Sequence, residues 1–245
     1  MDRTIPLPKI LLLPLSGLGQ IMLQENAATG LLFLIGIAWA SPVMALAAWL
    51  AVCCGTATAI LLKYDRAEIE QGLYGFSAAL VGVALVLFRG IGPLVWLAIV
   101  AGSVGAAIVQ RFFIARKIPV FTLPFVLVTW VLLCVLPVPT GLVDGAPMAA
   151  GPVHYSTAAV ARGFGQVIFQ DNLFSGILFM VAVALHSRIA VVFGVFGALL
   201  GALLAMWIGA PADNVMLGLY GYNAVLCAIA FAGTKARNYL LFLLS

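Results

Sequence analysis

Apolar residues in this chain come in continuous runs, not in strict alternation, and the runs are separated by short polar or Gly/Pro-containing joints. They occupy approximately 27–40, 43–62, 72–88, 91–110, 120–136, 173–186, 189–208 and 217–233, with a last apolar piece ending at 245. A helix needs about 20 apolar residues to cross a bilayer, so the pattern predicts an all-α membrane protein. Continuous runs also exclude a transmembrane β-barrel, whose strands alternate. The segment 137–161, LPVPTGLVDGAPMAAGPVHYSTAAV, is rich in Pro, Gly and polar residues and reads as a linker. The expected organisation is a first half over 1–140, a linker over 141–161 and a second half over 162–245.

Composition sharpens the class. Of 245 residues, 64% are hydrophobic and 8% charged, against about 45–50% and 25% in soluble domains. A soluble enzyme or a nucleic-acid binder is thereby excluded. Arg3, Lys9, Lys63, Arg66, Arg111, Arg116, Lys117, Arg188, Lys235 and Arg237 fall on one side of the alternating spans, and Arg89 and Arg162 on the other. The positive-inside rule assigns the richer side, and with it the N-terminus, to the cytoplasmic face of an inner membrane. Cys53, Cys54, Cys134 and Cys227 lie in apolar runs without ligand or disulfide spacing and read as buried, inert thiols. His154 and His186 have no partner at metal or catalytic spacing, and no P-loop is present. No cofactor and no enzymatic chemistry is expected.

The chain matches itself at one fixed offset of 146 residues. SGLGQIMLQENAATGLLFLIGIAWAS (16–41) lies over RGFGQVIFQDNLFSGILFMVAVALHS (162–187), with ten identities in the 25 pairs of positions 17–41. QGLYGFSAALVGVAL (71–85) lies over LGLYGYNAVLCAIAF (217–231). Gln, Asn and paired glycines at constant offset point to duplication. Five spans precede the linker, an odd number, so the second copy should enter the membrane upside down. Inverted repeats are an architecture of transporters, with the solute path near the midplane where halves meet. Ser245 pairs with position 99, so the second half, as given, lacks counterparts of 100–140.

GLGQIMLQEN (17–26) and GFGQVIFQDN (163–172) are the most polar stretches at membrane depth. Irregular backbone there must be buried in protein or line a cavity, so each reads as a short half-helix dipping into the bundle. Asn26 and Asn172, with Glu25 and Asp171, read as cap-region residues of the helices that follow. Gln20 and Gln166 read as facing a pore; satisfying the starts of the following helices is the alternative. Phe76 and Leu80, and likewise Tyr222 and Leu226, are four apart and share a helix face, either as walls of a flat slot or as ordinary packing. Thr122 lies between Pro119 and Pro124, whose missing N–H groups free carbonyls; a bland kink is the alternative. With few acids and no charged rings, a small neutral hydrogen-bonding solute fits best.

The doubled GQ-x-x-x-Q-[ED]-N-x-x-[TS]-G segments, the doubled GLYG[FY] segments and PVFTLPFVL together resemble the urea transporter family, over roughly positions 10–245. The resemblance implies five helices and a re-entrant helix per half, a homotrimer, and passive urea conduction through a narrow filter in each protomer. It implies filter roles for Gln20, Ile21 and Leu23 and for Gln166, Val167 and Phe169. It implies slot walls from Phe76, Leu80, Tyr222 and Leu226, and a mid-filter hydroxyl from Thr122. Ser77 departs from the family's usual Asn, which Asn223 keeps. Gln166 repeats Gln20 where some members carry an acid. A second PxxTxPF segment is absent, so a non-conducting homologue, or a channel for short amides or ammonia, stays open beside urea conduction.

Overall fold

In the computed structural model, residues 11–119, 121–138 and 158–233 are described, and among them helices and turns account for all the secondary structure. Most of the linker expected at 141–161 and most of the last apolar piece lie outside the described residues. The helices fall into two units, Met1–Val138 and Pro139–Ser245. The first holds α1 (Leu13–Gly19), a 3-10 turn (Gln20–Met22), α2 (Ala27–Ala40), α3 (Pro42–Leu61), α4 (Arg66–Glu70), α5 (Gly75–Arg89), α6 (Pro93–Ala115) and α7 (Leu123–Val135). The second holds α8 (Ala158–Gln166), α9 (Leu173–His186), α10 (Arg188–Trp207), α11 (Ala212–Met216) and α12 (Tyr222–Ala230).

Local chemistry sets the helix starts. Asn26 is extended, and its side-chain oxygen accepts from the N–H groups of Ala28 and Thr29 at 2.7 and 3.3 Å. Ser41 closes α2 in an extended conformation and caps α3 through Met44 N–H, with Pro42 in the first turn, where its missing N–H costs nothing. Asn172 and Ser187 repeat both caps on α9 and α10. Element boundaries of α2 and α9, α3 and α10, and α4 and α11 recur at the 146-residue offset.

Among the described residues three helices, α3, α6 and α10, are long and apolar enough to cross a membrane, and Leu13–Met22 with Ala27–Ala40 forms a further candidate bent by 77°. The apolar runs expected as spans at 72–88 and 217–233 are shorter as helices, Gly75–Arg89 and Tyr222–Ala230. Leu73, Tyr74, Leu219 and Tyr220 are apolar in sequence but sit in turns opened by Gly72 and Gly218, both at φ 79°. The run at 91–110 extends in the other direction, to Ala115.

The core of the first unit is α5. Every residue from Gly75 to Val86 is buried, because α3, α6 and α7 pack around it. Small residues permit the approach: a Cβ on Gly82 would lie 2.6 Å from the Ala47 carbonyl oxygen, and one on Gly55 2.6 Å from the Ala78 Cβ. Large apolar side chains point outward instead, among them Trp39, Leu61, Trp130 and Trp207. Trp39 and Trp207 stand at helix ends, where indole rings favour the membrane interface. The thiols do not follow the expectation of burial: Cys134 is exposed, since few residues of α7 are buried, and the other three are half-buried.

Candidate functional site

Each polar segment folds as a helix that breaks into a tight turn. After α1, Gln20–Met22 makes a 3-10 turn, and Leu23 adopts the left-handed conformation at φ 59°, ψ 31°. The turn closes with Leu23 N–H donating to Gln20 O at 3.0 Å and Gln24 N–H to Gly19 O at 3.1 Å. The buried Gln24 side chain donates to Met22 O at 2.7 Å. In the second unit Phe169 takes φ 58°, Gln170 N–H donates to Gly165 O at 3.0 Å, and its side chain donates to Ile168 O at 2.9 Å. A non-glycine residue in this region costs about 1–2 kcal/mol, and here it is imposed twice by the same bonds. None of the bonds that close either turn uses the carbonyl of Ile21, Leu23 or Val167.

Glycine is required at the joints. A Cβ on Gly30 would lie 1.8 Å from the Leu15 carbonyl oxygen, and one on Gly176 2.0 Å from that of Ala161. The helix after each turn therefore lies directly against the helix before it.

The two glutamines share a sequence position but not a hydrogen-bond state. Gln20 is 8% exposed, and its Oε1 is buried without a partner among the described residues. Such an orphaned acceptor is rare and calls for a ligand or other donor. Gln166 is half-buried and donates through Nε2 to Leu217 O at 3.1 Å. Ile21 and Val167 are buried, at 3% and 6% exposure, while Leu23 and Phe169 are half-buried.

In the first unit α5 meets both the 20–22 turn and α7. The element carrying Phe76 and Leu80 thus touches the turn carrying Gln20 and the helix that Thr122 precedes. Phe76 and Leu80 are buried, at 6% and 2% exposure. In the second unit Tyr222 and Leu226 are only half-buried, with α12 packed on α10 and α8. Thr122 is half-buried and precedes α7 without capping it through its side chain. Ser77 is fully buried and its hydroxyl donates to Gln110 Oε1 at 3.3 Å, whereas Asn223 is exposed.

Sequence reasoning missed three features. Thr129 is 3% exposed and its hydroxyl has no partner among the described residues; its seven-residue spacing from Thr122, two helical turns, was the available signal. Tyr74, 1% exposed, donates its hydroxyl to Glu68, which also accepts from Arg111 at 3.1 Å. Arg111 lies 5.5 Å over the Tyr64 ring. Arg162, one turn before Gln166, donates from Nη1 to Met216 O at 3.0 Å. Among the described residues, no group of three His, Cys, Asp or Glu side chains is placed to hold a metal ion.

The family model for urea transporters matches residues 11–245. The chain belongs to the urea transporter family. That family is one of transporters, not of enzymes, and with the apolar helices it makes this a membrane protein. Among similar proteins are urea transporter 1 of Rattus norvegicus and of Mus musculus, each 29% identical over a 237-residue alignment covering 89% of this chain and 62% of the relative. Urea transporter 1 of Ovis aries aligns with the same identity and coverage. The chain thus spans about 62% of the length of the curated relatives it matches.

Proposed function

We propose that this chain conducts urea passively and selectively, through a narrow path. In this reading the N-terminus is cytoplasmic, the membrane is an inner membrane, and three copies assemble. The observation that carries the reading is the recurring turn. In both units a buried glutamine side chain closes the backbone, leaving carbonyls of Ile21, Leu23 and Val167 outside the closing bonds, and Gln20 Oε1 has no partner among the described residues. Those groups are acceptors. Urea is planar and neutral, with N–H donors along its edges, so acceptors at the rim of a slot replace its hydration in plane. An ion would lose its water without charged ligands in return. Phe76 and Leu80, with Tyr222 and Leu226, are the apolar walls, and Thr122 supplies a hydroxyl midway.

Urea flux into proteoliposomes, followed by stopped-flow light scattering, tests this. The expected result is flux above empty vesicles, with Gln20→Ala lowering it about fivefold to tenfold, the weight of one hydrogen bond. Flux equal to that of empty vesicles refutes conduction by this chain. Faster passage of N-methylurea or ammonia than of urea refutes the choice of solute.

A further inference from the structure

We propose that Arg162 is a positioning residue that holds the Gln166 carboxamide in its conducting orientation; this rests on the function proposed above. Arg162 and Gln166 are four apart on α8 and therefore on one helix face. They donate to consecutive carbonyls at the end of α11: Arg162 Nη1 to Met216 O at 3.0 Å and Gln166 Nε2 to Leu217 O at 3.1 Å. The backbones are pressed together at the same place. A Cβ on Gly218 would lie 2.4 Å from the Gly163 nitrogen and 2.6 Å from the Arg162 carbonyl carbon, so nothing but glycine fits between them.

With its amide nitrogen committed to Leu217 O, Gln166 has its oxygen turned away from that carbonyl. Two side-chain bonds from one helix face fix the pitch of α8 against α11, which neither bond does alone. The first unit lacks this device. Gly72 abuts Gly17 in the same manner, but the positions matching Arg162 and Gln166 are Ser16 and Gln20, and neither side chain bonds to the Gly72 turn. The two glutamines are identical in sequence, and Arg162 is the residue that makes the second one rigid. An arginine suits the task because its planar fork holds a carbonyl in a defined direction, whereas a lysine is a mobile point charge.

A double-mutant cycle tests the coupling. Arg162→Met and Gln166→Met are made singly and together in the full chain, and urea flux, the urea to N-methylurea flux ratio and the thermal midpoint are measured. Arg162→Met is expected to lower urea flux about fivefold to tenfold and to lower the flux ratio, while producing little further change in the Gln166→Met background. Arg162→Lys, which keeps the charge, is expected to restore flux only in part, and it serves in the same cycle if the Met variant does not fold. Equal losses in both backgrounds, or a lost thermal midpoint with an unchanged flux ratio, overturn the inference alone. A wild-type chain without flux overturns the function on which it rests.

Discussion

The contact between the two helices of the broken pair is the sharpest steric constraint in the first unit, and Gly30→Ala challenges it with one methyl group. That methyl would sit 1.8 Å from the Leu15 carbonyl oxygen and 2.9 Å from the Gly19 nitrogen, where ordinary contact begins at 3.4 Å. Both neighbours are backbone atoms, so no side-chain rotation makes room. The helices must part by roughly 1.6 Å along that line. Overpacking of this kind costs about 1–3 kcal/mol. Gln20 follows Leu15 by five residues, at the end of α1, and moves with it. Displacements near 1 Å in a preorganised site lower rates by up to about 100-fold, so urea flux is expected to fall about tenfold or more. The assay pairs stopped-flow flux with the thermal midpoint in detergent. Gly105→Ala is the control, because its methyl would meet Val128 at 3.9 Å, an ordinary contact, and alanine is the better helix former by about 1 kcal/mol. Gly176→Ala should repeat the loss from the second unit, where the Ala161 oxygen lies at 2.0 Å. Wild-type flux and an unshifted midpoint in Gly30→Ala would refute the reasoning.

Other consequences follow from single residues. Lys63, exposed after α3, holds φ 55°, and the matching residue Gly209 holds φ 74°; Lys63→Gly is expected to stabilise by about 0.5–1 kcal/mol, read as a higher thermal midpoint, and a lower one contradicts this. Tyr74→Phe removes the hydroxyl bond to Glu68 while Arg111 remains; the Glu68 side chain is 23% exposed, so the expected loss is near the lower end, about 1 kcal/mol. An unchanged denaturation midpoint for that variant would mean that Arg111 alone holds Glu68.

Much of the fold was legible because its causes are local. Asn26 and Ser41 reach N–H groups two or three residues on, and Asn172 and Ser187 do the same at the same offset, so helix starts could be read from neighbours in the chain. Continuous hydropathy marked the helices for the same reason. It overran at 72–74 and 217–221 because an apolar side chain in a turn looks like one in a helix, and only the backbone at Gly72 and Gly218 tells them apart. The five-residue helices α4 and α11 are too short to show a period.

The amino-acid sequence by itself determined the helical class, the order of elements and the recurrence of the polar turn, since each depends on composition or on contacts within a few residues. The tertiary structure alone decided which partners those turns acquire. Gln20 and Gln166 are the same residue in matching segments, yet one keeps a buried oxygen with no partner among the described residues and the other donates to a carbonyl 51 residues away. Glu68 and Arg111 meet across 43 residues. Such pairings depend on how helices pack, and packing is set by the sum of many distant side chains, which no local pattern records.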